Sequence, residues 1–450
     1  MIEMSYDLVI RAKRAVTAIG ERPVAVAITN GKIVALLDFN AKVEAGQDYE
    51  VLGVLMPGVV DTHVHINEPG RTPWEGFATA TRAAAAGGVT TVIDMPLNSI
   101  PPTVTPDALA IKKNVAESQC SVDVGFWGGS IPGNVSQLEP LLKAGVFGFK
   151  CFLLHSGVDE FPASSLDDLA SALQVLAKHD GLMVVHAEDS VAIERSSKAA
   201  SKKYSEFLAS RPKGAENVAI AQLIEESRRT GARVHVLHLS SSDAIAMIAS
   251  AQEDGVKIST ETCPHYLSLN SDEIADGATQ YKCCPPIRES ANQDRLWQGL
   301  KSGIISMIVS DHSPCTPDLK LFEVGDFQAA WGGISSLQIG VPIIWTEGSK
   351  RGISLFDLAT WMSSRPAELV GLTQKGAIDV GKDADMYLFD PDRTFTVDPL
   401  KLAHKNPVSP YAGKVLKGVV SKTWLRGKLV HDDGNFIGLP HGKFLSGSHT

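Results

Sequence analysis

The sequence PGVVDTHVH, residues 57–65, is an apolar run that ends in two histidines, His63 and His65. Seven similar runs follow, and segments with a helical pattern lie between them. The eight runs are VDTHVH (60–65), VTTVIDMP (89–96), VDVGFWGG (122–129), VFGFKCFL (146–153), LMVVHAE (182–188), RVHVLHLS (233–240), VKISTETCPH (256–265) and SMIVSDHSP (306–314). Buried strands alternating with helices predict a parallel sheet, and eight strands close a (β/α)8 TIM barrel.

An open doubly wound sheet is the competing α/β fold. It would predict a Gly-rich phosphate loop after the first strand. Neither G-x-G-x-x-G nor a Walker loop occurs in the sequence, which favours the barrel.

Both chain ends have a different pattern, with short Val- and Ile-rich strands and few helix signals. Examples are AVAITNGKIVAL (25–36) near one end and VVSKTWLRGKLVHDDG (419–434) near the other. The step Asn30-Gly31 indicates a tight hairpin turn. We expect residues 1–57 and 376–450 to form one small β-sandwich domain beside a barrel of residues 58–375, with HGKFLSGSHT (441–450) as a loose tail.

The composition is that of a globular protein and excludes several partners. The chain has 450 residues, 44% of them hydrophobic and 21% charged, and a net charge of −9. This acidity argues against nucleic acid as a partner, and no apolar run is long enough to span a membrane. Six cysteines without C-x-x-C spacing, and an N-terminus without a signal-peptide pattern, predict reduced thiols and a cytoplasmic protein.

Polar residues at the carboxyl ends of the runs are candidate site residues, because barrel enzymes build their sites there. His63 and His65 are two residues apart on a strand, so both imidazoles can reach one metal ion. Taken alone, such a pair also fits two structural histidines.

Three later runs add one candidate ligand each. His186 ends the fifth run, and His238 is nearer the end of the sixth than His235, which faces the opposite way. The eighth run ends in Asp311-His312, of which only one can face the barrel axis. We favour Asp311, because a carboxylate can both bind a metal and accept a proton; the alternative is a cap or turn residue.

Lys150, in GFKCF, lies within an apolar run. A charged lysine there needs a partner, so a buried salt bridge is one interpretation. The other is a lysine carboxylated by CO2, whose carbamate could bridge two metal ions, whereas an ammonium has no lone pair to donate. Imidazoles and carboxylates without thiolates suit catalytic Zn2+, and Mn2+, Co2+ or Fe2+ also fit.

Several motifs resemble the amidohydrolase superfamily, in its cyclic-amidohydrolase branch, over residues from about 5 to about 430. They are PGVVDTHVHINEPGR, AAAAGGVTTVIDMPLNSIPPT, GFKCF, VVHAE, VLHLSS, CPHYL and SDHSP. Within the branch, HINEPGRTPWEGF and DMPLNSIPPT resemble the allantoinases most closely. Asn67 stands where dihydroorotases carry Arg, and His155 where dihydropyrimidinases and hydantoinases carry Tyr.

The resemblance implies a fold and a set of roles. His63, His65 and Asp311 would bind one metal, His186 and His238 a second, and N6-carboxylated Lys150 would bridge them. Asn98 and Ser313 would contact the substrate, and residues from about 154 to 162 would form a mobile lid.

The resemblance also implies an activity. A hydroxide between the metals would open the ring of a small cyclic ureide, allantoin, to allantoate in purine nitrogen catabolism, with Asp311 as general base and acid. A homo-oligomer, often a tetramer, is expected. A hydantoinase, dihydropyrimidinase or dihydroorotase acting on a related ring is the alternative, and a non-catalytic paralogue is a remote one.

Overall fold

The N-terminal part of the fold is a group of strands that pair with one another. The computed structural model describes residues 6–196 and 199–448. The first strands are β1 (Tyr6–Thr17), β2 (Gly20–Thr29), β3 (Lys32–Leu37) and β4 (Ala45–Pro57). Asn30 and Gly31 join β2 to β3 with φ values of 52° and 75°, so the predicted hairpin turn is confirmed. β4 pairs in parallel with β1.

A ring of short parallel strands follows. Its strands are β5 (Val59–Val64), β6 (Val89–Asp94), β7 (Asp123–Phe126), β8 (Gly128–Gly129), β9 (Phe149–Phe152), β10 (Leu182–His186), β11 (Arg233–Val236), β12 (Ile258–Thr262) and β13 (Met307–Ile308). β7 and β8 are one run interrupted at Trp127, and a parallel bridge between Val64 and His312 closes the ring. The eight predicted runs are therefore the eight positions of a closed barrel.

Helices surround this ring. They are α1 (Phe77–Ala86), α2 (Pro106–Ala116), α3 (Val135–Lys143), α4 (Leu166–Ala177), α5 (Ser190–Glu194), α6 (Tyr204–Ser210), α7 (Lys213–Thr230), α8 (Ile245–Glu253), α9 (Pro264–Ser268), α10 (Ser290–Lys301), α11 (Gly340–Lys350), α12 (Leu355–Ala359) and α13 (Arg365–Leu369). Among residues 6–196 and 199–448, no helix is both long and apolar enough to cross a bilayer.

The C-terminal strands complete the first sheet. They are β14 (Met386–Thr396), β15 (Val415–Leu425), β16 (Lys428–Asp432) and β17 (Asn435–Phe436). The sheet has the order β17-β16-β15-β14-β4-β1-β2-β3, so both chain ends build one sheet of eight strands. The predicted (β/α)8 barrel with a β domain from both ends is confirmed.

Residues near the C-terminus depart from the prediction. Residues 441–448 of the stretch predicted as a loose tail run beside β7, and residues 449–450 lie outside the described residues. Val124 N–H donates to the Lys443 carbonyl at 2.9 Å, and Leu445 N–H donates to the Val124 carbonyl at 2.8 Å. Phe444 also packs edge-on against Phe126. The prediction was wrong for this stretch because backbone pairing and one aromatic side chain order a segment whose composition is otherwise that of a loop.

Candidate metal centre

The carboxyl ends of β5 and β9 bring three of the predicted ligands together. Lys150 Nζ lies 3.5 Å from His63 Nε2 and 3.5 Å from His65 Nε2. All three side chains are buried. The i, i+2 spacing of the two histidines therefore places both rings on one face of the strand, towards the lysine of the fourth run.

Asp311 joins this group from the eighth run, which lies next to β5 in the ring. Its Oδ1 lies 3.1 Å from His63 Nε2 and 3.7 Å from His65 Nε2. Its φ of 44° is in the left-handed region, which is uncommon outside glycine and costs conformational energy. The turn after β13 is thus held in a strained conformation that directs the carboxylate to the histidines.

His186 and His238 lie beside the same cluster. Their ring centroids are 4.6 Å apart, and the His238 centroid is 5.3 Å from that of His63. His238 also has a positive φ, 36°. Its Nδ1 is buried and has no hydrogen-bond partner within the described residues, so this nitrogen is unsatisfied without a further ligand.

Glu261 on β12 orients the histidines from behind. Its Oε1 lies 2.5 Å from His63 Nδ1 and accepts a hydrogen bond of 3.2 Å from the His238 backbone N–H. A carboxylate bonded to one ring nitrogen leaves the other free for a metal and fixes the ring's orientation. Sequence reasoning missed Glu261, although a glutamate inside the apolar seventh run was a usable signal.

Glu188 has the same relation to His186. Its Oε2 lies 2.8 Å from His186 Nε2 and also contacts the Arg211 guanidinium. Burial alone would raise the pKa of Glu188, but the positive charge of Arg211 and the hydrogen bond to His186 hold it at about 2. Glu188 is therefore an anion that leaves His186 Nδ1 as the free ring nitrogen.

The two histidines that the sequence analysis did not favour as metal ligands, His235 and His312, have other partners. His235 lies 2.7 Å from Ser259 Oγ and 3.1 Å from Glu261 Oε2 through its two ring nitrogens. His312 Nε2 lies 3.0 Å from a carboxylate oxygen of Glu75. Both rings are thus engaged in buried hydrogen bonds.

Five of the six candidate ligands, all except His63, border a cavity of about 300 Å³ at the mouth of the barrel. Asn98 and Ser313, the predicted substrate contacts, line it, as do His155 and Gly157 of the predicted lid. Asn98 is positioned by its side-chain amide, which donates to Asn67 Oδ1 at 3.0 Å. A larger hollow of about 670 Å³ lies against the eight-stranded sheet, away from these ligands.

Burial sets the charge states in this cluster. It lowers the pKa of His63, His65 and His238 well below the usual value, so their rings are neutral and carry a lone pair. Burial also lowers the pKa of the Lys150 amine and raises that of the Asp311 carboxyl, while the attraction between the two opposes both shifts.

This donor set fits a pair of divalent cations. Neutral imidazoles and a carboxylate are the ligands that Zn2+ takes in catalytic sites. His63, His65 and Asp311 already have ligand atoms within 4.8 Å of one another. The unsatisfied Nδ1 of His238 adds a donor that a bound cation would satisfy.

Comparison with known proteins gives the family. A model described as "Amidohydrolase family" matches residues 54–430. The chain belongs to the amidohydrolase family. The prediction of an amidohydrolase from the sequence motifs is thereby confirmed.

Individual members of the amidohydrolase family are similar along most of the chain. A protein named allantoinase from Streptomyces avermitilis is 56% identical over 442 residues, which is 98% of each chain. A protein named allantoinase from Saccharomyces cerevisiae is 48% identical over 389 residues, 85% of this chain and 84% of the other. The solved structure of L-hydantoinase (dihydropyrimidinase) from Arthrobacter aurescens has a TM-score of 0.93 at 32% identity and covers 98% of this chain and 100% of that one.

Proposed function

We propose that this amidohydrolase is an allantoinase, which hydrolyses a cyclic amide bond of allantoin to give allantoate. The observation that carries the proposal is the clustering of six candidate ligands, five of which line one cavity, in a chain whose full-length relatives include proteins named allantoinase. The six are His63, His65, Lys150, His186, His238 and Asp311.

The proposed centre holds two divalent cations, for which Zn2+ is the first choice and Mn2+, Co2+ or Fe2+ the alternatives. His63, His65 and Asp311 would hold one cation, and His186 and His238 the other. Lys150 would bridge them as a carbamate. Support for the carbamate comes from burial, which lowers the pKa of the Lys150 amine, because only the neutral amine can react with CO2.

When bound, the cations would supply Lewis acidity that activates water and polarises the ring carbonyl. The protein's own residues handle the proton. Asp311 accepts a proton from the attacking water and delivers it to the leaving ring nitrogen. Its buried position, which raises the carboxyl pKa, favours holding that proton between the two transfers.

Binding of the ring is proposed to involve Asn98 and Ser313. The Asn98 amide is held by Asn67, so it can present a fixed polar group to a neutral ring. Asn67 is itself uncharged, which agrees with a substrate that lacks a carboxylate.

The proposal also covers the domain bounds, the oligomeric state, the location and the partners. The two functional units are residues 58–375 for the barrel, and residues 1–57 with 376–450 for the β domain. The enzyme is proposed to be a homotetramer in the cytoplasm, without a nucleic-acid or membrane partner. Six free cysteines support a reducing compartment.

A substrate panel tests the function. Metal-replete protein, reconstituted with bicarbonate to form the carbamate, is assayed for ring opening of allantoin, hydantoin, dihydrouracil and dihydroorotate. We expect the highest kcat/KM for allantoin. The L-hydantoinase neighbour makes a hydantoinase the second candidate, and a higher kcat/KM for hydantoin or dihydrouracil would replace the proposal with it. Protein that binds no metal and opens no ring would indicate a non-catalytic paralogue.

A further inference from the structure

His265 is a buried histidine whose imidazole ring has no hydrogen bond to any described residue. Its side chain is fully buried, and neither ring nitrogen has a partner within residues 6–196 and 199–448. Buried polar atoms nearly always have hydrogen-bond partners, because a buried donor or acceptor without one has lost its hydrogen bonds to water and formed no others. An unpaired imidazole of this kind indicates a missing ligand.

Two other ligand-type side chains lie against this ring. Cys263 Sγ, a carboxylate oxygen of Asp311 and a ring nitrogen of His265 are all within 4.8 Å of one another. Cys263 directly precedes α9, His265 is in the first turn of that helix, and Asp311 follows β13. Two separate elements therefore bring a thiol, an imidazole and a carboxylate to one point.

We propose that Cys263, His265 and Asp311 form a binding site for a thiophilic divalent cation such as Cd2+ or excess Zn2+. This thiolate site shares Asp311 with the candidate metal centre and is otherwise distinct from it. Sulfur is a soft donor that the centre at His63 and His65 lacks, so the two sites prefer different cations.

Binding at the thiolate site is an exchange of a proton for a metal. Cys263 is a buried free thiol, and a thiol that binds a metal ion gives up its S–H proton. The incoming cation forms a bond to Sγ, and the S–H proton leaves to solvent. Because the cation also takes the Asp311 carboxylate, it removes the proposed proton carrier, so occupation of the thiolate site inhibits the enzyme.

The test is a Cd2+ titration of the metal-replete enzyme with two readouts. The first is the ultraviolet charge-transfer absorption of a Cd2+–thiolate bond, which does not depend on activity. The second is the rate of allantoin ring opening, normalised to each variant's own rate without Cd2+. Wild-type enzyme is expected to gain the absorption and to lose activity over the same Cd2+ range.

Variants locate the site. Cys263→Ala is expected to lose the absorption and to raise the Cd2+ concentration for half-inhibition by more than about tenfold, since loss of even an indirect ligand partner weakens metal sites about 10–100-fold. His265→Gln should shift half-inhibition in the same direction and serves if the first variant does not fold. Cys120→Ala is the matched control, because Cys120 is a buried thiol that does not line the 300 Å³ cavity; its absorption and half-inhibition should match those of wild type.

Several results would overturn the thiolate site. They are a wild-type enzyme without Cd2+–thiolate absorption, wild-type sensitivity in Cys263→Ala, or loss of inhibition in Cys120→Ala alone. The inhibitory effect rests on the proposed role of Asp311, but the absorption does not. Absorption that follows Cys263 in a protein inactive on allantoin would therefore refute the proposed function and leave the site standing.

Discussion

Replacing Glu261 with glutamine removes one charge from behind the candidate metal centre and changes almost nothing else. Glu261 is buried, and its carboxylate contacts His63 Nδ1 at 2.5 Å, His235 Nε2 at 3.1 Å and the His238 backbone N–H at 3.2 Å. Glutamine has nearly the same size as glutamate and keeps one carbonyl oxygen as an acceptor. His235 can accept from the new amide by changing its tautomer, because Ser259 Oγ can donate or accept.

The expected effect on folding is small. A hydrogen bond to a charged group contributes about 1.5–3 kcal/mol and a neutral one about 0.5–1.5 kcal/mol, so weakening the His63 bond lowers the free energy of unfolding by about 1 kcal/mol. The effect on the metal centre is larger. Loss of the carboxylate partner of a metal-binding histidine reduces metal affinity or activity about 10–100-fold.

Metal affinity in a chelator buffer, kcat/KM on allantoin and denaturant unfolding measure these effects separately. Glu253→Gln, an exposed change at the end of α8, is the matched control and should match wild type. A Glu261→Gln enzyme with wild-type metal affinity and kcat/KM would refute the idea that Glu261 orients His63. The idea would also be refuted if unfolding of the variant accounted for the whole of its loss of activity.

Two further predictions concern the neighbouring carboxylates. Asp311→Asn is expected to keep the fold and at least one metal ion but to lose at least about 100-fold in kcat, the usual contribution of general acid–base catalysis; a metal-replete variant with near-wild-type kcat would contradict the assignment. Glu188 has its pKa lowered from 4.5 to about 2, so its contribution to stability is present above pH 4.5 and disappears as the pH falls towards 2. At neutral pH, the free energy of unfolding of wild type should thus exceed that of Glu188→Gln by roughly 3 kcal/mol, and this difference should decrease between about pH 5 and pH 2. A difference independent of pH in chemical unfolding would exclude this linkage.

The barrel was predictable because its strands carry a local signal. Each run is short, apolar and flanked by a helical pattern, and closure by a parallel bridge follows from the number of runs. The alternation of side chains along a strand also predicted that His63 and His65 share one face, and that His238 rather than His235 is the candidate ligand. The structure brings these side chains together with Lys150, and their roles as ligands stay a prediction.

The missed residues depend on partners that are distant in sequence. Glu261 contacts His63 across 198 positions, and no local pattern encodes that contact. Glu188 follows His186 by two residues, but its pairing with Arg211 depends on where α6 ends. The C-terminal stretch was misread because all its residues except Phe444 and Leu445 are Gly or polar, whereas Phe444 and the backbone pairing with β7 determine its place.

The position of β14 next to β4 matters while the chain is being made. One edge of β4 can pair with β1 as soon as both strands are synthesised. Its other edge pairs with residues 386–389, which are translated only after the whole barrel. At about 5–20 residues per second, that edge stays open for on the order of 15–65 s. An open strand edge is a template for pairing with other nascent chains. Slower initiation or chaperone cover should therefore raise the yield of recombinant enzyme more than further stabilisation of its finished core.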